Sequence, residues 1–229
     1  MTDTTSGAAR SVPASARGDR TRDRLLDSLE TIAAENGIAA LSHRVIARHA
    51  QLNTGLIHYH FGTIDQLLEQ ALARRASRLS RTQISAMQQA TARGSWTVED
   101  IVDAMWRTFS ALGTRIEDGW RNYLCLIARL ASDARGNALL DRYFDDVAQA
   151  AHKALRPILP DTSDEIVATG LRFTRALFEQ EALSRCNKRV DDAQRVDDDR
   201  RLVAYAAAGV RALAASRTRS AQVAETATG

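Results

Sequence analysis

The sequence predicts an all-α protein of about nine helices, with a small N-terminal domain followed by a larger helical domain. Glycine and proline are scarce, with 12 and 3 among the 229 residues, whereas hydrophobic residues make up 45% of the chain. Few segments alternate apolar and polar residues as a half-buried strand would. Apolar residues instead recur at helical spacing along most of the chain, so we expect helices and no sheet.

The two ends of the chain are expected to be disordered. Residues 1–18 are mostly Ser, Ala, Thr, Gly and Arg, and residues 217–229 have a similar composition. Segments with so few large apolar side chains cannot bury enough surface to offset the entropy lost on ordering. We therefore predict a flexible basic arm before the first helix and a flexible tail after the last one.

The first helix is expected to begin near Asp19. Leu25, Leu29 and Ile32 follow it at a spacing that places them on one apolar face. Gly37 should end this helix, because glycine adopts the left-handed backbone of a helix terminus at little cost.

Three further helices are expected to follow closely. Ser42 can cap a short second helix, HRVIARHA, and Asn53 can cap a third over residues 54–60, with the turn QLN between them. Thr63 can cap a long fourth helix that continues to about Gln89. The arginines of this fourth helix, Arg74, Arg75, Arg78 and Arg81, are interpreted as a solvated face, with attraction to a nucleic acid as the alternative.

The remaining chain predicts helices only. They are placed at 97–113, 117–134, 137–157, 163–186 and 193–215, with breaks at Gly113, at Gly136 and at the sequence PILPD. The acidic run at 197–199 in the last of them is interpreted as solvated surface. We divide the ordered chain into a first domain over 19–66 and a second over 67–216.

The second and third helices and their turn predict a helix-turn-helix unit. On the third helix, Leu56 and Ile57 fall on one side, whereas Thr54, Gly55 and His58 fall on the opposite side. The first side can pack inward. The other is small at its start and hydrogen-bonding further on, as a helix that approaches a DNA duplex closely needs to be.

The stretch SHRVIARHAQLNTGLIHYHFGTIDQLLEQAL resembles the DNA-binding domain of TetR/AcrR-type transcriptional regulators. The matching positions are Ser42, Arg44, Ile46, Ala47, Ala50, Gly55, Ile57, Phe61, Leu67 and Leu68. The resemblance covers about residues 20 to 70. It implies an Ω-shaped, all-α homodimer, usually a repressor that a small molecule releases from its operator.

Three positions depart from the pattern of this family. Gln51 stands where the turn usually has glycine, and His58 stands where tyrosine commonly contacts a phosphate. Ile64 replaces a lysine that often touches the DNA backbone at the start of the fourth helix. The operators of better-known relatives therefore do not predict the operator of this protein.

The resemblance and the residue pattern together predict three sets of site residues. The DNA-binding set is Ser42, His43, Arg44, Asn53, Thr54, Gly55, His58, Tyr59, His60 and Thr63. Arginines near the first helix, among them Arg20, Arg22 and Arg24, are further candidates for contacts with DNA. The ligand-pocket set is Met105, Trp106, Phe109, Trp120, Asn122, Tyr123, Ile127, Phe144 and Phe173, with core packing as the alternative for each. The dimer-interface set is Leu171, Phe178, Leu202, Tyr205, Ala206, Gly209 and Leu213.

The predicted pocket lining is aromatic and aliphatic, so we expect a largely apolar or aromatic ligand. Asn122 and Tyr123 are the polar groups that could orient it, and we identify no charged anchor among the inward-facing positions. Two other functions remain open: a DNA-binding regulator without a ligand, and a helical enzyme that processes small molecules. The sequence contains no GxSxG, HExxH, Walker or GxGxxG motif, which argues against an enzyme.

Charge, cysteine and histidine patterns set further bounds. The net charge of +3 permits nucleic-acid binding without showing it. Cys125 and Cys186 form no CxxC motif and are expected to be reduced thiols. His58 and His60 would point about 200° apart on a helix, so we predict no metal site and no cofactor. The N-terminus lacks a secretory h-region and no apolar run reaches ~20 residues, so we expect a soluble, cytoplasmic protein.

Overall fold

The computed structural model describes residues 14–115, 119–186 and 192–226, and within them it contains helices and no strand. The helices are α1 (Ala14–Asn36), α2 (His43–His49), α3 (Gly55–His60), α4 (Ile64–Thr91), α5 (Val98–Gly113), α6 (Trp120–Leu130), α7 (Ala134–Leu155), α8 (Asp164–Cys186) and α9 (Asp192–Thr226). Two single 3-10 turns lie at Ile38–Ala40 and Arg156–Ile158. The predicted all-α class is confirmed.

Two helices extend into segments that were predicted to be disordered. α1 begins at Ala14 inside the expected arm, and α9 continues to Thr226 inside the expected tail. The prediction considered only how little apolar surface these segments can bury. Ala and Arg have high helix propensity, and lengthening an existing helix avoids the cost of nucleation. The rest of the arm, residues 1–13, lies outside the described residues.

Gly136 was expected to break a helix, but it lies inside α7. A Cβ at this position would come within 2.2 Å of the Leu130 carbonyl oxygen. This glycine therefore allows the first turn of α7 to pack against the end of α6. The break falls earlier, at Ala131–Asp133.

The N-terminal domain is built around apolar side chains that no solvent reaches. Leu25 and Leu29 of α1, Ile46 of α2 and Ile57 of α3 are each 0% exposed and belong to one core cluster. The first three helices are thereby fixed to one another. Since the outward residues of α2 and α3 are polar, burial of this apolar side alone decides which face is presented to solvent.

α4 joins the two domains as one continuous helix of 28 residues. Thr63 caps it: its hydroxyl accepts from the Gln66 N–H at 3.2 Å, while the Gln66 side chain accepts from the Thr63 N–H at 2.9 Å. The preceding Gly62 has φ of 80°. The predicted division between the domains at residue 66 falls within the first turn of this helix.

The larger domain contains a second core cluster, formed by α4, α5, α7, α8 and α9. Trp106 of α5 belongs to this cluster and is 0% exposed; its ring is stacked with that of Phe109 and tilted against that of Phe178. Phe109 and Phe144 pack against both clusters, so they mark the seam between them.

Cys125 of α6 and Cys186 at the end of α8 form a disulfide, with 5.7 Å between their Cα atoms. The expectation of two free thiols is wrong. It rested on the large separation in sequence, 61 residues, which says nothing about proximity once α6 packs against α8.

None of the helices in the described ranges combines the length and apolar composition needed to cross a bilayer.

Candidate nucleic-acid interface

The turn between α2 and α3 is fixed by local hydrogen bonds. The Ser42 hydroxyl caps α2 by accepting from the Val45 N–H at 3.3 Å, and the Leu52 N–H donates to the Ala47 carbonyl at 2.9 Å. Gln51 has φ of 54°, the left-handed region that favours glycine. This explains why glycine is usual at this place in the turn, and it means that the glutamine is held there at some cost in strain.

α3 is oriented by one buried and one capping contact. Ile57 is fully buried, and the Asn53 side-chain oxygen accepts from the Gly55 N–H at 2.8 Å. His58 and Tyr59 are exposed, Tyr59 to 82%. A large aromatic side chain on the surface of a short polar helix is available for contact with another molecule.

The predicted DNA-binding residues all lie on the segment 42–63, and most are exposed. Those exposed are Ser42, Arg44, Asn53, Gly55, His58, Tyr59 and Thr63, and those partly buried are His43, Thr54 and His60. Asn53 and Thr63 also have a structural task, because each caps a helix.

The structure brings together two histidines that the sequence analysis had not paired. The rings of His43 and His58 lie 4.3 Å apart between centroids. Helical spacing relates only residues of the same helix, whereas this contact joins the start of α2 to the middle of α3. Only the crossing of the two helices creates it.

Two of the arginines that were expected to reach DNA have partners within the domain. Arg24 donates to the Ala50 carbonyl at 2.5 Å, and Arg22 lies 4.9 Å above the Phe61 ring and contacts Gln70. Both hold α1 against the helix-turn-helix unit. Their guanidinium groups were assigned to the arm because the sequence gives no sign of these partners.

Only part of the solvated face expected on α4 is found, because Arg78 and Arg81 are exposed whereas Arg74 and Arg75 are partly buried. Arg74 contacts Asp23, Asp27 and Glu30 of α1. Arg75 and Arg78 lie 5.3 and 5.5 Å from the centre of the Trp120 ring. This side of α4 is therefore the junction between the two domains.

Glu30 is the buried member of this junction. Burial raises the pKa of its carboxyl to about 7, although Arg74 and Arg75 oppose the shift. The Arg74 and Arg75 nitrogens lie 3.4 and 3.8 Å from the carboxylate, and one carboxylate oxygen has no hydrogen-bond partner. The attraction of the two arginines does not fully offset the cost of removing the charged Glu30 carboxylate from water, so the pKa stays raised.

α6 attaches the larger domain to α1. The Asn122 side-chain N–H donates to the Thr31 hydroxyl at 3.1 Å, and Arg129 donates to the Ala34 carbonyl at 2.9 Å. Asn122 had been expected to orient a ligand. The structure uses it to position the DNA-binding domain.

Most of the predicted pocket residues are packed inside the two cores. Trp106 and Tyr123 are 0% exposed and Trp120 is 1% exposed, while Met105 and Ile127 are nearly as buried. The Tyr123 hydroxyl donates to the Leu72 carbonyl at 2.7 Å. Phe109 and Phe144 are partly buried at the seam, and Phe173 is 55% exposed on α8, away from the rest.

A charged group that the sequence analysis missed lies beside Trp106. The Trp106 indole N–H and the Ser110 hydroxyl donate to the Asp199 carboxylate at 2.5 and 2.8 Å. Arg185 binds the same carboxylate at 2.9 Å and lies 5.0 Å above the Trp106 ring. Asp199 was read as solvated surface because it belongs to an acidic run, yet its side chain is only 15% exposed.

The predicted dimer residues divide into two groups. Tyr205 is 73% exposed, Gly209 is exposed, and Leu202 and Leu213 are partly exposed. Leu171, Phe178 and Ala206 are buried in the chain's own core.

Within the described part of the chain, no three His, Cys, Asp or Glu side chains are grouped so as to hold a metal ion.

α3 is short, packs against α1 and α2 through its buried Ile57, and exposes polar side chains on its other side. This is the arrangement that places the recognition helix of a helix-turn-helix protein in the major groove. The class is therefore a helix-turn-helix DNA-binding protein. The family model described as "Bacterial regulatory proteins, tetR family" matches residues 25–71, and the model "Tetracyclin repressor-like, C-terminal domain" matches residues 103–209. The chain belongs to the TetR family of transcriptional regulators, and it is a regulator, not an enzyme.

Solved structures share the fold. A TetR-family transcriptional regulator from Rhodococcus sp. has a TM-score of 0.59 at 18% identity, covering 85% of this chain and 99% of its own. A transcriptional regulator from Pseudomonas aeruginosa PAO1 has a TM-score of 0.57 at 18% identity, covering 88% and 93%. The multidrug binding protein EbrR complexed with malachite green has a TM-score of 0.51 at 19% identity, covering 79% and 96%. No curated protein matches the sequence.

Proposed function

We propose that this regulator is a cytoplasmic homodimeric repressor that binds a palindromic operator and is released by a mostly apolar small molecule. The exposed face of α3 carries the proposal. Ile57 anchors the helix, while His58 and Tyr59 point outward, and their ring N–H and O–H groups can reach base edges or phosphates. Thr54 and Gly55 are small, which lets the start of the helix approach the duplex closely.

The homodimer is supported by a stripe on α9. Leu202, Tyr205, Gly209 and Leu213 fall within about 80° of one another on this helix. They are exposed or partly exposed, and nothing lies within 4 Å of a Cβ built at Gly209. An apolar stripe with a gap at its centre suits close packing against the same stripe of a second copy, in a four-helix bundle of α8 and α9 with their two-fold mates.

The ligand site is proposed at the seam between the two core clusters. Phe109 of α5 and Phe144 of α7 are partly buried there and contact both clusters. A ligand that enters at the seam separates two packed units without dismantling either. The aromatic walls suit an apolar or aromatic molecule, in keeping with the malachite green bound by the fold relative EbrR.

Release requires that the ligand bind one spacing of the two DNA-binding domains better than the other. Two connections can carry this preference: α4, which continues from one domain into the other, and α6, which is hydrogen-bonded to α1. Coupling of this kind is typically about 1–3 kcal/mol, a loss of operator affinity of roughly 5- to 150-fold.

A regulator without a ligand is the alternative. It is favoured by the complete burial of Trp106 and Tyr123, which fill space that a ligand would need. Thermal unfolding in the presence of a panel of apolar and aromatic compounds separates the two. A rise in melting temperature that saturates with concentration supports a ligand, and no rise with any class favours the alternative.

Selection from a pool of random DNA duplexes tests the operator. We expect a two-fold symmetric motif whose half-site centres lie about one helical turn, ~34 Å, or a small multiple apart. A selected motif without two-fold symmetry contradicts the palindromic operator.

Light scattering tests the dimer independently. Tyr205→Arg places a charge in the proposed interface and should give a monomer. Val196→Arg is the matched control, because Val196 is also an exposed apolar residue of α9, 43% exposed, but it lies about 120° from the stripe. Dimers of equal stability in both variants would remove the stripe from the interface.

A further inference from the structure

The disulfide between Cys125 and Cys186 links two helices with different tasks. Cys125 lies on α6, which holds the DNA-binding domain, and Cys186 is the last residue of α8, which belongs to the proposed dimer bundle. Cys125 is 4% exposed, whereas Cys186 is partly exposed. A small thiol or oxidant can therefore approach the pair from the Cys186 side.

A noncovalent contact keeps the two cysteines close even without their bond. The Arg121 guanidinium, one turn before Cys125, donates to the Cys186 carbonyl at 3.2 Å. This contact does not depend on the state of the sulfur atoms. The reduced thiols therefore stay near each other, which favours closing the bond again.

The residue before Cys186 ties the same end of α8 to the rest of the larger domain. Arg185 binds Asp199 of α9 at 2.9 Å and lies over the Trp106 ring of α5. Opening the disulfide would leave the end of α8 held by α5, by α9 and by the single Arg121 hydrogen bond from α6, while its covalent connection to α6 is lost. The effect is then concentrated at the contact between α6 and α8.

α6 transmits this change to the DNA-binding domain. Its two hydrogen bonds to α1 start from Asn122 and Arg129, one turn to either side of Cys125. A shift of α6 against α8 therefore moves the contacts that position α1.

From this arrangement we propose that Cys125 and Cys186 form a thiol–disulfide switch, a second input that changes DNA affinity according to the redox state of the cell. The consequence for DNA and the reducing compartment both rest on the proposed function, whereas the contact between the two cysteines does not. Disulfides in proteins that work in a reducing compartment are usually transient and redox-sensing, not structural.

Opening and closing of the disulfide both pass through a reactive form of Cys186. For opening, a low-molecular-weight thiolate attacks the Cys186 sulfur and Cys125 leaves as a thiolate; a second thiol then resolves the mixed disulfide, so two RSH give RSSR and two protein thiols. For closing, a hydroperoxide ROOH oxidises the Cys186 thiolate to a sulfenic acid and releases ROH. The Cys125 thiol then attacks this sulfur and water leaves.

The test uses the full-length protein equilibrated in glutathione buffers of increasing oxidised fraction. Free thiols are trapped by alkylation and counted by intact mass. We expect the disulfide to open and close within the range of glutathione ratios found in cytosol. A bond that stays closed throughout overturns the switch and makes the pair a structural crosslink, and thiols that stay reduced throughout overturn it too.

Two readouts then compare the oxidised and reduced forms. Binding to a duplex obtained from the random-pool selection should differ by about fivefold or more, the lower limit of typical coupling between sites. Amide exchange over residues 31–37, where α6 holds α1, should be faster in the reduced form. A smaller difference in affinity, or unchanged exchange, overturns the proposal. If neither form binds any duplex, the proposed DNA function fails, and exchange alone decides for or against the switch.

Variants separate the switch from general effects of the reductant. Cys186→Ser replaces the partly exposed cysteine, so it should fold and lose the response in both readouts. Ser184→Ala, on the same last turn of α8, is the matched control and should keep the response. A Cys186→Ser protein that still responds to glutathione overturns the proposal.

Discussion

Glu30 should make the stability of this protein depend on pH in a direction opposite to that of most carboxylates. Its side chain is 1% exposed at the junction of α1 and α4, and burial raises its pKa from 4.5 to about 7. A raised pKa means that the folded state binds the proton more tightly than the unfolded chain does. The associated stability is fully present below about pH 4.5 and is lost as the pH rises through about 7.

The magnitude follows from the size of the shift. One pKa unit corresponds to about 1.36 kcal/mol, so ionising Glu30 should cost about 3 kcal/mol above pH 7. Between about pH 5 and pH 8 the loss should be about 2.5 kcal/mol, because the unfolded carboxyl is already partly ionised at the lower value. Such a loss is a large part of the stability of an ordinary domain.

The assay compares wild type with Glu30→Gln, which mimics the protonated acid in shape and cannot ionise. Urea unfolding followed by far-ultraviolet circular dichroism gives the free energy of unfolding of both proteins at each pH. The difference, Glu30→Gln minus wild type, should rise by about 2.5 kcal/mol from about pH 5 to pH 8. All other titrating groups are common to both proteins and cancel.

Glu35→Gln is the matched control, because it makes the same substitution at an exposed position of the same helix. Its difference from wild type should stay level over the same range. A Glu30→Gln difference that stays level as well would refute the reasoning, because it would mean that the buried carboxyl does not gain charge in this range.

Three further predictions concern the recognition helix, the seam and the turn. His58→Ala should weaken specific DNA binding by about 1–3 kcal/mol in an anisotropy titration, whereas His49→Ala, an exposed histidine on α2, should bind as wild type does; equal losses would show a general effect of removing histidine. Phe109→Trp fills the seam, so it should abolish release from DNA by a ligand found in the thermal screen while DNA affinity stays nearly intact. Release at an unchanged ligand concentration would place the pocket elsewhere. Gln51→Gly should raise the free energy of unfolding by about 0.5–1 kcal/mol, because relief of left-handed strain exceeds the extra entropy lost by glycine. Gln51→Ala should bring no such gain, and equal stability of the two variants would argue against strain at this position.

Local pattern was a good guide wherever one helix face decides the outcome. Ile57 could be placed inward and His58 outward from their positions on α3 alone, since a buried apolar side chain fixes the rotation of a short helix. The cap at Thr63 could be predicted because it depends only on residues three positions apart. Helix ends were less accurate, as α1 and α9 show.

The candidate site was only partly accessible from the sequence. Trp106 and Tyr123 were selected for a pocket because they are bulky, yet bulky side chains fill cores and cavities alike, and the structure buries both. Asn122 was selected because it is polar and near them, yet its partner is Thr31, 91 positions away. Asp199 was set aside because its neighbours are acidic, whereas its own side chain turns toward Trp106.

The helical class, the helix-turn-helix unit and the outward face of α3 could be predicted from local pattern. These features follow from periodicity and capping, which act over a few residues. Three contacts could not be predicted in this way: His43 with His58, Glu30 with two arginines, and Cys125 with Cys186. Each of these depends on which helix lies beside which. That choice is made by the burial of many apolar side chains together, so no short stretch of sequence contains it.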